Sequence, residues 1–217
     1  MSPSSWQTMA KQDRNHLKQL PGPLSDSQID GFFDDGFLIL PEMVSTETLH
    51  ALRHDVESAI DRLAHSLFRS NKIQSSYKQS NWTQRLLQIT SDYPDAPVMF
   101  MKRGILPPAF QRLFADRRFT EMARQLGVGQ DIALSPAWNI RSKMPDHEET
   151  VVPWHQDNSY WEPRIWDEPV LTFWVSLVDT DRGNGCMQFI RGGHRSGITG
   201  THTIGTTTRT WYSEGVE

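Results

Sequence analysis

Apolar positions follow helical spacing through roughly the first 130 residues and strand spacing after them. In STETLHALRHDVESAIDRLAHSLF (residues 45–68), Leu49, Leu52, Val56, Ile60, Leu63 and Leu67 form one stripe, with Ser45 as cap and Glu47 in the first turn. The spacing predicts a long amphipathic helix there. A shorter helix is expected from Ser25 or Asp26 in SDSQIDGFFDDG, stopped at Gly36. PPAFQRLFADRRFTEMARQLGV (107–128) predicts a third, with prolines at its start and Gly127 and Gly129 beyond its end. FLIL (37–40) reads as a short strand closed by Pro41, and residues 70–100 as a polar, looped crossing with a turn at SDYPDAP. Residues 1–23, ending in PGP, read as a loose arm before a single domain covering 24–217.

From residue 131 the texture changes. DIALSPAWNIRSK (131–143), VVPWHQDNSYW (151–161), PVLTFWVSLVD (169–179) and GCMQFIRG (185–192) are rich in β-branched and aromatic residues, and MPDHEE and DRGNG mark turns between them. Helices followed by a run of short strands predict an α+β, mainly β fold. The expected architecture is a double-stranded β-helix, or jelly roll, with supporting N-terminal helices.

Composition narrows the function classes. A chain of 217 residues with 37% hydrophobic and 22% charged residues suits one globular domain. The net charge of −4 offers no basic field for nucleic acid and no polybasic membrane patch. No stretch has the ~18 consecutive apolar residues of a membrane span, and the polar N-terminus lacks a signal-peptide core. With a single cysteine, Cys186, in an apolar setting, a cytoplasmic location is expected. The partner expected is a small molecule, and the oligomeric state is open. Of eight tryptophans, Trp138, Trp154, Trp161, Trp166 and Trp174 cluster in one region, which suggests either an aromatic-walled pocket or ordinary core packing.

That region contains the candidate chemistry. In an extended chain the side chains of His155 and Asp157 point the same way, because strand residues alternate. An imidazole and a carboxylate side by side form two-thirds of the 2-His-1-carboxylate triad that leaves three positions of ferrous iron open. A thiolate set would instead indicate zinc. H-x-D alone is a weak signal in a chain with eight histidines. His50 and His54 share a helix face, but Ala51 stands where an H-E-x-x-H motif has glutamate, so solvated helix polarity is the better reading.

Several motifs in fixed order carry a stronger signal. PWHQDNSYW followed by LTFWVSLVDTDRGNGCMQFIRGGHRSG resembles the phytanoyl-CoA dioxygenase family of iron(II)- and 2-oxoglutarate-dependent oxygenases, and DDGFLIL (34–40) resembles its N-terminal helix-to-strand passage. The resemblance implies an oxygenase using Fe(II), 2-oxoglutarate and O2 to hydroxylate a small organic or acyl substrate. It implies His155 and Asp157 as iron ligands and Trp174, Trp138 and Lys102 as residues near 2-oxoglutarate. Packing explains either tryptophan equally well, and a solvated surface role explains Lys102. Gln156, Tyr160 and Trp161, with Trp154, are expected around the substrate. Asp157 disfavours halogenation, where a small residue usually stands.

His194 in GGHRSG matches a family histidine that does not bind iron; Arg191 replaces the usual proline of that loop. The family's distal histidine and 2-oxoglutarate arginine have no clear match in THTIGTTTRTWYSEGVE, so both are expected beyond Glu217, with the C-terminal strands. The alternatives are a non-catalytic jelly-roll binding protein or inactive fragment without a third ligand, and a cupin-like metalloenzyme using His155, Asp157 and His202.

Overall fold

A computed structural model describes residues 6–101, 106–135, 139–146, 150–152 and 154–198. After a 3-10 turn at Lys11–Arg14 come helices α1 (Asn15–Lys18), α2 (Asp26–Asp35), α3 (Thr46–Arg69), α4 (Trp82–Asp92), α5 (Ala96–Met101), α6 (Pro108–Phe114) and α7 (Arg117–Gln125). Ser25 caps α2 in a reciprocal capping box with Gln28, and Gly36 closes it at φ 85° with its N–H on the Phe32 carbonyl. The Ser45 hydroxyl accepts from Thr48 N–H at 3.2 Å, and the α3 stripe is buried from Leu52 to Leu67.

Two apolar clusters follow from these faces. The first joins Val56, Ile60, Leu63 and Leu67 of α3 to Leu86 and Ile89 of α4 and to Phe100. The second joins Leu17, Leu24, Ile29 and Phe33 to Met122 and Leu126. Much of the N-terminal stretch read as a loose arm belongs to this second cluster. The Trp6 indole donates to the Leu126 carbonyl at 2.8 Å, and Arg14 is buried beside Asp34, 2.9 Å from its carboxylate. The hydrogen bond from Arg14, assisted by its charge and that of Lys11, holds the Asp34 carboxyl below the usual aspartate range. A depressed folded-state pKa stabilises above the unfolded value of ~3.9 and is lost as pH falls through the folded value. Asp34→Asn is therefore expected to lower the melting temperature at neutral pH and to remove part of its fall in acid, checked by thermal melts from about pH 7 to pH 2.

Four further expectations are corrected. No strand or sheet is present among the described residues, so the mainly β jelly roll is not observed; the described fold is helical, followed by extended and 3-10 segments. A strand needs a neighbour about 4.8 Å away to accept and donate its backbone hydrogen bonds. Beyond residue 131 the described segments form no ladder: their backbone bonds are local turns such as Cys186 N–H to Asp181 and Gly193 N–H to Ile190, apart from Gly192 N–H on the Asp35 carbonyl at the end of α2. Large apolar residues of these segments, Val170, Phe173, Trp174, Val178, Phe189 and Ile190, are exposed. Period-two patterning specifies extended backbone without specifying the partner. These segments instead lean on the helices: Ile140, Met144 and Leu177 pack on the first cluster, and Leu171 on the second. Phe173 meets Phe119 edge-on at 4.9 Å, and Arg53 donates to the Leu177 carbonyl at 2.7 Å.

The other three corrections are local. FLIL (37–40) is not a strand, and its Leu38 and Leu40 pack on the second cluster. The looped crossing at 70–100 contains α4 and α5. Finally, the helix read over 107–128 is two, because Asp116 leaves helical geometry (φ −68°, ψ 115°) and caps the second with its carboxylate on Arg118 N–H.

Candidate functional site

Gln156 is extended (φ −117°, ψ 127°), so its neighbours project to the same side. His155 Nε2 and Asp157 Oδ1 stand 3.2 Å apart. Asp157 opens a 3-10 turn, Asp157–Tyr160, closed by Ser159 N–H on the Gln156 carbonyl at 3.0 Å and Trp161 N–H on Asn158 at 3.1 Å. The Asn158 amide donates to the carbonyls of Trp166 (3.2 Å) and Glu168 (3.1 Å), tying the turn to the next segment. The Thr172 hydroxyl donates to the second carboxylate oxygen of Asp157.

These contacts tune the acid. The hydrogen bond from His155 is the main influence holding the Asp157 carboxyl below its ordinary pKa; Thr172 and the charges of His155 and Arg141 act the same way, against partial desolvation. Asp157 therefore stays ionised to lower pH than a free aspartate. Removing a donor to the charged form raises a carboxyl pKa, so Thr172→Val is expected to move the Asp157 titration upward, measurable by carboxyl NMR in the metal-free protein. Arg141 also helps burial to depress the Lys143 ammonium, which donates to the Thr150 carbonyl at 3.0 Å.

The profile of the phytanoyl-CoA dioxygenase (PhyH) family matches residues 32–211, most of the chain. The chain belongs to that family. Its similarity to a bovine phytanoyl-CoA dioxygenase domain-containing protein 1 is 23% identity, over 81% of this chain and 67% of the relative. An ectoine dioxygenase of Halomonas elongata is 28% identical over 82% of this chain and 48% of its own length. A phytanoyl-CoA dioxygenase of Arabidopsis thaliana is 22% identical over 82% and 68%, respectively. The chain thus spans about half of the ectoine dioxygenase and two-thirds of the other two. No solved structure matches it.

Among the residues that the phytanoyl-CoA dioxygenase resemblance singles out, the structure brings His155 and Asp157 together and sets Tyr160 edge-on to His155, ring centroids 5.6 Å apart. Trp161 is exposed and offers its carbonyl to the Trp166 indole at 3.0 Å; Trp174 is also exposed. The Gln156 amide is engaged on the Gly197 carbonyl at 2.8 Å. Trp138, Lys102 and His202 lie outside the described residues. His194 stands on the end of α2, with Nε2 3.0 Å from the Phe33 carbonyl. Among the described residues no group of three or more His, Cys, Asp or Glu side chains is arranged to hold a metal. Sequence inspection missed Thr172 and Arg141. Thr172 was legible as a hydroxyl two places before Trp174 in an otherwise apolar alternation; Arg141 carries no local signal.

Proposed function

We propose that this member of the phytanoyl-CoA dioxygenase family is an Fe(II)- and 2-oxoglutarate-dependent oxygenase that hydroxylates a small organic or acyl substrate, with His155 and Asp157 as two of the iron ligands. One observation supports this most directly. Two donor atoms at right angles on one ion, each ~2.1 Å from it, are ~3 Å apart; His155 Nε2 and Asp157 Oδ1 are separated by 3.2 Å. The donor set also fits, since an imidazole with a carboxylate suits ferrous iron. A ferrous ion held by His155 and Asp157 would supply dioxygen activation coupled to oxidative decarboxylation of 2-oxoglutarate.

The chain's own residues prepare that site. Thr172 helps keep the carboxylate ionised, as ligation requires, through Oδ2, and leaves Oδ1 to face His155, whose Nε2 proton would give way to a metal ion. The edge of Tyr160 limits the directions the His155 ring can take. The exposed faces of Trp154 and Trp161 beside the pair suit stacking with an organic substrate. The direct test is release of labelled carbon dioxide from 1-labelled 2-oxoglutarate by the purified protein under air, with and without ferrous iron. Iron-dependent release supports the proposal. Release equal to that of free iron in buffer, with the protein folded, contradicts it.

A further inference from the structure

The loop 192–197 sits on the C-terminal end of α2. The last carbonyls of a helix have no intrahelical donor and carry the negative end of its dipole. Gly36 N–H takes the Phe32 carbonyl, and the loop takes the next three. His194 Nε2 lies 3.0 Å from the Phe33 carbonyl, the Arg195 guanidinium donates to Asp34 O at 2.7 Å, and Gly192 N–H donates to Asp35 O at 2.7 Å. A carbonyl only accepts, so His194 carries its proton on Nε2; Nδ1 is buried with no hydrogen-bond partner. The ring fits because residue 36 is glycine: a Cβ there would come within 2.3 Å of Nδ1. Phe37 stacked on Phe189 at 4.9 Å and Arg191 at 2.5 Å from the Asp35 carboxylate hold the approach to the loop.

The far end of the same loop meets the candidate site. Gly197 offers its carbonyl to the amide of Gln156, the residue between His155 and Asp157. The alternation that sends His155 and Asp157 one way sends Gln156 the other, so this bond acts on the back of the pair.

We infer that His194 is a positioning residue: by seating the 192–197 loop on α2 it places the Gly197 carbonyl that holds Gln156, and so sets the direction of His155 and Asp157. The functional consequence rests on the metal-site proposal; the mechanical coupling does not. Hydrogen exchange in the metal-free protein reads the coupling alone. In His194→Ala, exchange at the Ser159 and Trp161 amides is expected to rise about tenfold while α3 and α4 keep their protection. His194→Gln, which retains a donor of similar reach, is expected to restore it. Gln156→Leu, working from the other end, is expected to speed exchange at Gly193 and Arg195. Cobalt(II) binding reads the consequence: each alanine or leucine variant is expected to bind about tenfold more weakly, and the double variant no more weakly than either single one. Unchanged exchange at Ser159 in His194→Ala, or additive penalties in the double variant, overturns the inference. Should His194→Ala not fold, unchanged exchange at Gly193 in Gln156→Leu overturns it equally. If exchange behaves as expected but the wild-type protein binds no cobalt, the coupling stands and the metal-site proposal fails.

Discussion

Asp157→Ala is expected to abolish iron-dependent turnover of 2-oxoglutarate and to weaken ferrous iron binding by more than about 100-fold, because loss of partners one shell further out already costs 10- to 100-fold. The variant leaves a single imidazole, His155, on this side of the site and removes the anionic donor that offsets the ion's charge. The fold should survive. Asp157 is half exposed, and the turn it opens is also held by Ser159 N–H on Gln156 and by the Asn158 amide. A retained cooperative thermal transition with a melting temperature only modestly lowered, together with lost iron binding in an anaerobic titration, is the expected pair of results. Retained iron affinity would mean that the ion sits elsewhere.

The largest effect on stability is expected from Phe33→Ala, about 3–5 kcal/mol, measured by urea unfolding. Phe33 is only 2% exposed and lies at the centre of the second cluster. Its ring meets Trp6 at 5.9 Å and Phe32 at 5.6 Å, both edge-on, and the Arg14 guanidinium lies 5.0 Å over it. Removal opens a cavity where α1, α2 and α7 converge and strips a buried cation of its aromatic face. Because the Phe33 carbonyl also receives His194, the variant is expected to loosen the 192–197 loop as well, visible as faster exchange at Gly193 and Arg195.

What the sequence made legible followed local chemistry. Helices α2 and α3 were readable because cap, apolar stripe and stop coincide: Ser25 to Gly36, and Ser45 with the Leu52–Leu67 face. α4 was hidden because Arg85 occupies its buried face, where it pairs with Asp61 at 2.5 Å and donates to the Ser76 carbonyl at 2.8 Å. A polar residue at a core position breaks the stripe on paper and not in the fold. The β architecture was misread for a different reason. Alternation in PVLTFWVSLVD predicts a strand, but pairing is a non-local property that no residue in the segment encodes, and the segment is unpaired with a bend at Leu177 and Val178. The site was legible as far as backbone alternation reaches, which covers His155 and Asp157. Its dependence on Thr172, fifteen residues away, and on the α2 terminus through His194 arises only when distant segments meet.

The most direct measurement is an anaerobic titration of the protein with ferrous iron and 2-oxoglutarate, following the weak visible charge-transfer absorption of the iron chelate. The wild-type chain is predicted to develop the band at saturation, and His155→Ala and Asp157→Ala to lack it while remaining folded. A band of equal intensity in all three, or none in the wild type, would contradict a ferrous ion held between His155 and Asp157.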